Sequence, residues 1–217
     1  LDVAGNPVRL IATTYDLTGL PLTMSDPAAT YTYAYDAYAR LDAITVGGAG
    51  GLPDVLLDYA HTPANRPESL AVTLGAGLLF TNSYAYDATT YRLSSITQSD
   101  DGLADKRVTF SYKAYGNWLD AIERWGENAG GTLVKIGVST WTYTERNQVD
   151  TLTHTNAAGQ TVSRYDYAYD AEGRVASVAS LQDGTTLYTY HPDSQLATVT
   201  YSNPALTDES FLYDAAG

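Results

Sequence analysis

The chain has 217 residues, with 25 Asp and Glu against 12 Lys and Arg, for a net charge of −13. That balance argues against nucleic acid and anionic membrane surfaces as partners, because both are recognised by clustered Lys and Arg. Hydrophobic residues at 44% and charged residues at only 17% argue for a packed chain rather than a disordered one, and the absence of cysteine excludes disulfides, thiolate zinc sites and thiol catalysis.

No run of about 18 apolar residues occurs, so no helical membrane insertion is expected. The first residues, Leu1 to Asn6, carry no basic-then-apolar leader and read as the middle of a repeat. Nineteen Tyr against three Phe, with many Thr, Ala and Gly, favour a pleated, half-buried surface.

Self-similarity organises the whole chain. The unit is clearest at Tyr31–Ile44 and Tyr165–Val178, where alternating tyrosines lead into Tyr-Asp, a turn, an Arg and two apolar positions. Numbering from the last Tyr as zero, a turn-permissive residue falls at plus four. Arg or another polar residue falls at plus five, and apolar residues at plus six and plus nine. In chain order the frame fits Tyr15 (Gly19, Pro21, Met24), Tyr35 (Ala39, Arg40, Leu41, Ile44) and His61 (Asn65, Arg66, Leu70). Tyr86 carries one inserted residue before Arg92, Leu93 and Ile96. Tyr112 gives Gly116, Asn117 and Trp118, then Ile122 one place late. The frame resumes at Tyr143 (Asn147, Gln148, Val149, Leu152), Tyr169 (Gly173, Arg174, Val175, Val178) and Tyr190 (Ser194, Gln195, Leu196, Val199). Leu1 opens the chain within a unit, and Tyr213-Asp214 enters another. The result is a single array over residues 1–217 of about ten approximate units, truncated at both ends.

Each unit reads as a β-hairpin. Aromatics at period two share one face of the strand before the turn, with Ala, Thr and Ser between them on the other. Asp-x-x-Gly suits a type I turn followed by a left-handed residue, with Asn65 and Asn147 as the next best choice after Gly. Pro63 and Pro192 sit where φ near −65° is wanted. Ala39 and Ser194 break the Gly/Asn preference, which calls for strain or a different turn. Plus six and plus nine have opposite parity, so a bulge intervenes or both faces are partly covered. The structural turn residues are Asp36, Arg40, Asp87, Gly116, Asn147, Asp170, Gly173, Arg174 and Asp214. Gly-rich or polar links, Gly47–Gly51, Gln98–Gly102, Gly126–Gly131 and Gln182–Gly184, join the units without marking a domain boundary.

The closest copies, Tyr169-Asp170-Ala171-Glu172-Gly173-Arg174-Val175 and Tyr35-Asp36 with Arg40-Leu41, resemble the YD-repeat or Rhs-repeat family. That family includes the Rhs polymorphic toxin shells, the shell components of insecticidal toxin complexes, and teneurin-like surface proteins. The resemblance implies an all-β fold in which repetitive antiparallel hairpins form one continuous, spiralling sheet, able to close as a barrel or tube. It also implies bacterial export to a secreted or cell-surface location, with a toxin enclosed by the shell or an adhesion surface displayed. Family shells use many more repeats than ten. The expected partners are further repeats of a longer parent chain or identical subunits joined through sheet edges, enclosed cargo, or a glycan or protein at a cell surface.

No catalytic, cofactor or metal site is expected. Asp16, Asp36, Asp87, Asp170 and Asp214 recur at one turn position, whereas catalysis needs one constellation rather than ten copies. His61, His154 and His191 have no second ligand at metal-like spacing, and no Gly-x-Ser-x-Gly elbow exists. Asp100, Asp101 and Asp105, or Asp166 and Asp170, lack the spacing of a calcium loop. The tyrosine ladder reads first as cross-strand packing. Trp118, Trp125 and Trp141 are less periodic and are the candidates for an exposed binding patch. The expected function is a non-enzymatic scaffold; the alternatives are an extracellular binding module and a self-assembling filament.

Overall fold

The computed structural model describes residues 11–48, 53–100 and 102–214. The copy opening at Leu1, the end of the copy at Tyr213, residues 49–51 of the Gly47–Gly51 link and Asp101 lie outside them.

The described residues form seventeen strands and no helix. In chain order these are β1 (Ala12–Tyr15), β2 (Pro21–Ser25), β3 (Ala29–Tyr35), β4 (Leu41–Gly48), β5 (Val55–His61), β6 (Pro67–Leu74), β7 (Gly77–Tyr86), β8 (Leu93–Ser99) and β9 (Lys106–Tyr112). They continue with β10 (Leu119–Glu127), β11 (Leu133–Tyr143), β12 (Val149–Asn156), β13 (Thr161–Tyr169), β14 (Val175–Ser180), β15 (Gly184–Tyr190), β16 (Leu196–Tyr201) and β17 (Glu209–Ser210). The chain divides into two compact units, residues 1–108 with 126–133, and residues 109–125 with 134–217.

Within the first unit β1 to β8 form an antiparallel meander, each strand pairing with the next. Within the second, β11 to β17 do the same. Substantial contacts run only between consecutive strands, so each meander is a single layer.

The parity conflict between plus six and plus nine is resolved by a bulge in every hairpin whose pairing is described. In the Tyr35 hairpin, Tyr35 faces Leu41, Ala34 faces Ala43 and Tyr33 faces Ile44, so Asp42 is skipped. In the Tyr169 hairpin, Tyr169 faces Val175, Ala168 faces Ser177 and Tyr167 faces Val178, so Ala176 is skipped. Leu22, Glu68, Ser94, Asp150 and Ala197 are skipped at the same place. One extra residue returns plus nine to the face of zero and plus six. Tyrosines and aliphatics then meet across strands, as in the row Tyr33, Ile44, Leu57, Val72, Phe80. Each such pair adds roughly 0.2–1 kcal/mol.

Behind the bulge the paired residues are small: Ala34 with Ala43, Ala60 with Ser69, and Ala168 with Ser177. Three of these pairs are threonines whose hydroxyls bond at 2.7–2.8 Å: Thr14 with Thr23, Thr142 with Thr151, and Thr189 with Thr198.

The aromatic face is only half covered. Among the described residues, Val72, Val199 and Ser139 alone are buried, at 8%, 6% and 0% exposure. The chain exposes 14110 Å² for 23.3 kDa. A compact monomer of that mass exposes roughly 9,700 Å². The excess is surface that single-layer meanders leave open.

The turns after Tyr15, Tyr35, His61, Tyr143, Tyr169 and Tyr190 share one conformation. In the Tyr35 turn the Asp36 N–H donates to the Arg40 carbonyl at 2.9 Å, and the Ala39 N–H to the Asp36 carbonyl at 3.0 Å; the Asp170 turn repeats both bonds. The plus-four residue is left-handed whether it is Gly19, Gly116 or Gly173, Asn65 or Asn147, or the non-glycine Ala39 (φ 59°) and Ser194 (φ 71°). Of the two outcomes open for Ala39 and Ser194, strain is therefore the one realised. Tyr91, after the inserted residue, is also left-handed at φ 58°. The Tyr112 turn differs from the sequence frame: Lys113 N–H bonds the Trp118 carbonyl and β10 begins at Leu119, so Leu119 rather than Trp118 takes the plus-six place.

Two reciprocal substitutions test the turn. A Cβ on Gly19 meets nothing within 4 Å, so Gly19→Ala isolates the backbone cost and should destabilise by about 1 kcal/mol. Ala39→Gly, at the same repeat position, should stabilise by about 0.5–1 kcal/mol. Denaturant midpoints that move the other way would show that backbone strain is not what these positions share.

Candidate functional site

The repeated residues converge on the turn edge, where one hairpin meets the next. The hydroxyl of the anchor tyrosine donates to the plus-six carbonyl of the preceding hairpin. Tyr35 bonds Pro21 at 2.9 Å, Tyr86 bonds Pro67 at 2.9 Å and Tyr143 bonds Leu119 at 2.8 Å. Tyr169 bonds Val149 at 2.7 Å and Tyr190 bonds Val175 at 2.8 Å. The acceptors lie beside the bulge, where the ladder is interrupted and a backbone carbonyl needs another donor. This sets the zero position apart from the other tyrosines of the ladder: the half-buried Tyr33 and Tyr167 pack without a hydrogen bond.

The plus-one residue closes its own turn. One oxygen of Asp36 accepts from the N–H groups of Tyr38 and Arg40 at 2.8 and 3.0 Å; Asp16 accepts likewise from Thr18 and Leu20. Where the sequence has Thr62 or Thr144, the hydroxyl takes over, accepting from Arg66 N–H and Gln148 N–H at 3.2 Å. The second Asp oxygen holds the plus-five arginine, Asp36 to Arg40 at 2.6 Å and Asp170 to Arg174 at 2.7 Å.

The plus-five side chain then reaches forward to the next turn. Arg40 donates to the Thr62 carbonyl at 3.2 Å, Arg66 to the Tyr91 carbonyl at 2.8 Å, Gln148 to the Gly173 carbonyl at 2.8 Å and Arg174 to the Ser194 hydroxyl at 3.2 Å. Two of these guanidinium groups also lie over the anchor ring of the next hairpin, Arg66 on Tyr86 at 4.3 Å and Arg174 on Tyr190 at 4.4 Å. Such contacts contribute roughly 0.5–1 kcal/mol at exposed sites.

Asp16 and Asp87 are held below the ordinary carboxylate range, Asp16 chiefly by the Thr18 hydroxyl and Asp87 chiefly by the Thr90 N–H. For Asp36 and Asp170 partial burial pushes upward, but hydrogen bonds from the backbone and side chain of Arg40 or Arg174 outweigh it, and both are lowered. Burial raises the phenols of Tyr35, Tyr143 and Tyr169. Tyr201 is raised first by its hydrogen bond to Glu209.

The tips of the turns are exposed: Tyr38 at 80%, Tyr91 at 65% and Tyr115 at 86%. A shallow groove of about 380 Å³ lies among Tyr38, Arg40, Pro63 and Asn65. The three tryptophans have different surroundings. Trp118 is 39% exposed, folds over Gly116, and tilts against Tyr143 with centroids 6.3 Å apart. Trp141 is half-buried on the aromatic face opposite Leu152. Trp125 is half-buried beside Thr109 and Lys135. Asp214 is exposed, with the rest of its turn outside the described residues. Among the described residues no group of three His, Cys, Asp or Glu is placed to hold a metal ion.

Sequence reasoning missed both lateral links and one polar cluster, Arg124 with Ser139 and His154. The links had a signal, the frequent recurrence of Tyr at zero and Arg or Gln at plus five. The cluster had none, because only the β11–β12 register brings Ser139 and His154 together.

The chain is thus an all-β protein of repeated antiparallel hairpins. No family model matches it, and no curated protein does. Among solved structures it is similar to a chain of a TcdB2-TccC3-Cdc42 crystal structure at 14% identity and a TM-score of 0.43. The match covers 88% of this chain but only 13% of that one. A Tc holotoxin pore from Photorhabdus luminescens matches at 14% identity and 0.39, over 88% and 12% of the two chains. A porin-like protein from Bacteroides uniformis matches at 12% identity and 0.42, over 93% and 92%.

Tyr169→Phe deletes only the donor to the Val149 carbonyl and should destabilise by about 1 kcal/mol, while Tyr167→Phe should be near neutral. Equal effects in chemical denaturation would remove the special role of the zero position. The pH dependence follows from the same groups. The lowered carboxylates stabilise the fold above their free value of 3.8, and this is lost as pH falls through their lower folded values. The raised phenols stabilise it below their free value of 10.0, and this is lost as pH rises through their higher folded values. Stability should therefore fall on both sides of a mid-pH plateau, with a shallower acid limb in Asp36→Asn/Asp170→Asn. An unchanged acid limb would place the titrating groups elsewhere.

Proposed function

We propose that the chain is a non-enzymatic structural scaffold, a stretch of an exported hairpin array of the YD-repeat type. Its work is to build a wall that encloses cargo or displays a surface. The observation carrying this reading is that the recurring positions of the repeat are spent on the joint between neighbouring hairpins. Tyr at zero reaches back, Arg or Gln at plus five reaches forward, and Asp at plus one fixes the turn between them. Enzymes concentrate unusual groups in one place, whereas here the same groups recur hairpin after hairpin. The YD motif at Tyr35-Asp36 and Tyr169-Asp170 supports the family assignment, and export follows from it. The open aromatic face suits a wall lined by something else, either cargo or further repeats.

A second reading, a binding module for a glycan or protein, draws on the exposed rings of Tyr38, Tyr91 and Tyr115 at the turn tips. A third, a filament built from copies joined at sheet edges, draws on the single-layer meander, since edge strands recruit further strands.

Electron microscopy of the native particle, with mass spectrometry of its intact subunit, separates these. A closed shell built from a chain far longer than 217 residues is the expected outcome. A fibre of many short copies would replace the shell by the filament. A monomer of 23.3 kDa that turns over a glycoside, ester or peptide would end the scaffold reading. A monomer whose glycan or protein binding is lost in Tyr38→Ala, Tyr115→Ala or Trp118→Ala would favour the binding module.

A further inference from the structure

The aromatic face of the second unit is interrupted by one polar cluster. Ser139 and His154 face each other across β11 and β12, and the Ser139 hydroxyl lies 2.6 Å from His154 Nδ1. Arg124 Nη1 donates to the same hydroxyl at 2.8 Å. Ser139 is fully buried, so its polar atom must be satisfied inside the protein. Arg124 fills one lone pair of the hydroxyl, and His154 Nδ1 is the one acceptor placed for the buried hydroxyl proton among the described residues. Donation of that proton to Nδ1 would leave the proton of a neutral imidazole on Nε2, the nitrogen that points away from Ser139.

Both outward groups are then donors, the Arg124 guanidinium and the His154 Nε2–H. Neither is consumed. The one polar contact of Arg124 among the described residues is with Ser139. The neighbouring carboxylate Glu123 is engaged by Lys135 at 3.1 Å and by the Thr109 hydroxyl. Arg124 is exposed and His154 half-buried. Gly137, two residues before Ser139 on the same side of β11, and Ser163, opposite His154 on β13, add little bulk over the imidazole. Tyr165 supports the imidazole edge-on at 6.3 Å.

We propose that Arg124 and His154 form a carboxylate-binding socket on the aromatic face, held in register by the buried Ser139 hydroxyl. The guanidinium fork matches the two oxygens of a carboxylate, and the imidazole N–H supplies a third donor. A single-charged carboxylate suits a site among aromatic rings better than a phosphate, whose higher charge costs more to desolvate. The ligand class is thus an acidic side chain or chain terminus laid against this face. The inference rests on these bonds alone, and its failure leaves the scaffold reading standing.

The test is NMR of the intact protein titrated with acetate at constant ionic strength, with chloride and inorganic phosphate as comparators. Long-range ¹⁵N–¹H correlations should place the His154 proton on Nε2. Acetate should shift the His154 and Arg124 side-chain signals saturably, and Arg124→Gln should weaken this by roughly tenfold or more while the backbone amide spectrum stays native. Lys135→Gln should leave it unchanged. A proton on Nδ1, a response equal with chloride, or an undiminished response in Arg124→Gln would each overturn the socket. Tighter, Arg124-dependent phosphate binding would overturn carboxylate as its ligand class.

Discussion

A phenol hydroxyl donating to a backbone carbonyl one hairpin away is the interaction on which the rest of this structure depends. A single layer of antiparallel strands has no opposite layer to fix it, so its geometry is set by what links each hairpin to the next. Ladder hydrogen bonds alone leave register open to slippage, since one residue of slip moves every side chain to the other face. The bulge after each turn marks the register, and the anchor tyrosine locks it by bonding the carbonyl beside the bulge of the preceding hairpin. A phenylalanine would keep the packing and lose the lock, which accounts for tyrosine at Tyr35, Tyr86, Tyr143, Tyr169 and Tyr190.

The other repeated residues serve the same joint. Asp at plus one satisfies the N–H groups of its turn and positions the plus-five arginine, which crosses to the next hairpin and, in two cases, covers the ring of its anchor tyrosine. The motif is thus one connector of three parts: a turn holder, a forward arm and a backward bolt. Stability in such an array is a sum of unit and nearest-neighbour terms, and here much of the neighbour term sits at one edge. The left-handed Ala39 and Ser194 show that the connector geometry is kept even where the residue is ill suited to it.

Much of the fold was legible in the sequence because its signals are local. Period-two tyrosines, Asp-x-x-Gly turns and Pro63 or Pro192 each act within a few residues, and parity alone raised the bulge as one of two explanations. What was not legible depends on register between strands. Nothing near Val149 announces that Tyr169 will bond its carbonyl, and nothing near His154 announces Ser139, fifteen residues earlier in the chain. The insertion after Tyr112 was seen one place too late, because Trp118 imitates the apolar plus-six residue whose place Leu119 takes. The three tryptophans looked alike in sequence, whereas Trp118 lies in a turn against Tyr143, Trp141 on the aromatic face opposite Leu152, and Trp125 beside Thr109 and Lys135.

The most direct test of the connector is a double-mutant cycle between Arg174 and Tyr190, residues of successive hairpins whose guanidinium and ring are 4.4 Å apart. Arg174→Ala, Tyr190→Leu and the double variant would be compared in chemical denaturation. If the repeated residues bind one hairpin to the next, the two single effects sum to about 0.5–1 kcal/mol more than the effect of the double variant. Additive effects, within about 0.3 kcal/mol, would mean that each residue serves only its own hairpin, and the connector account would fall.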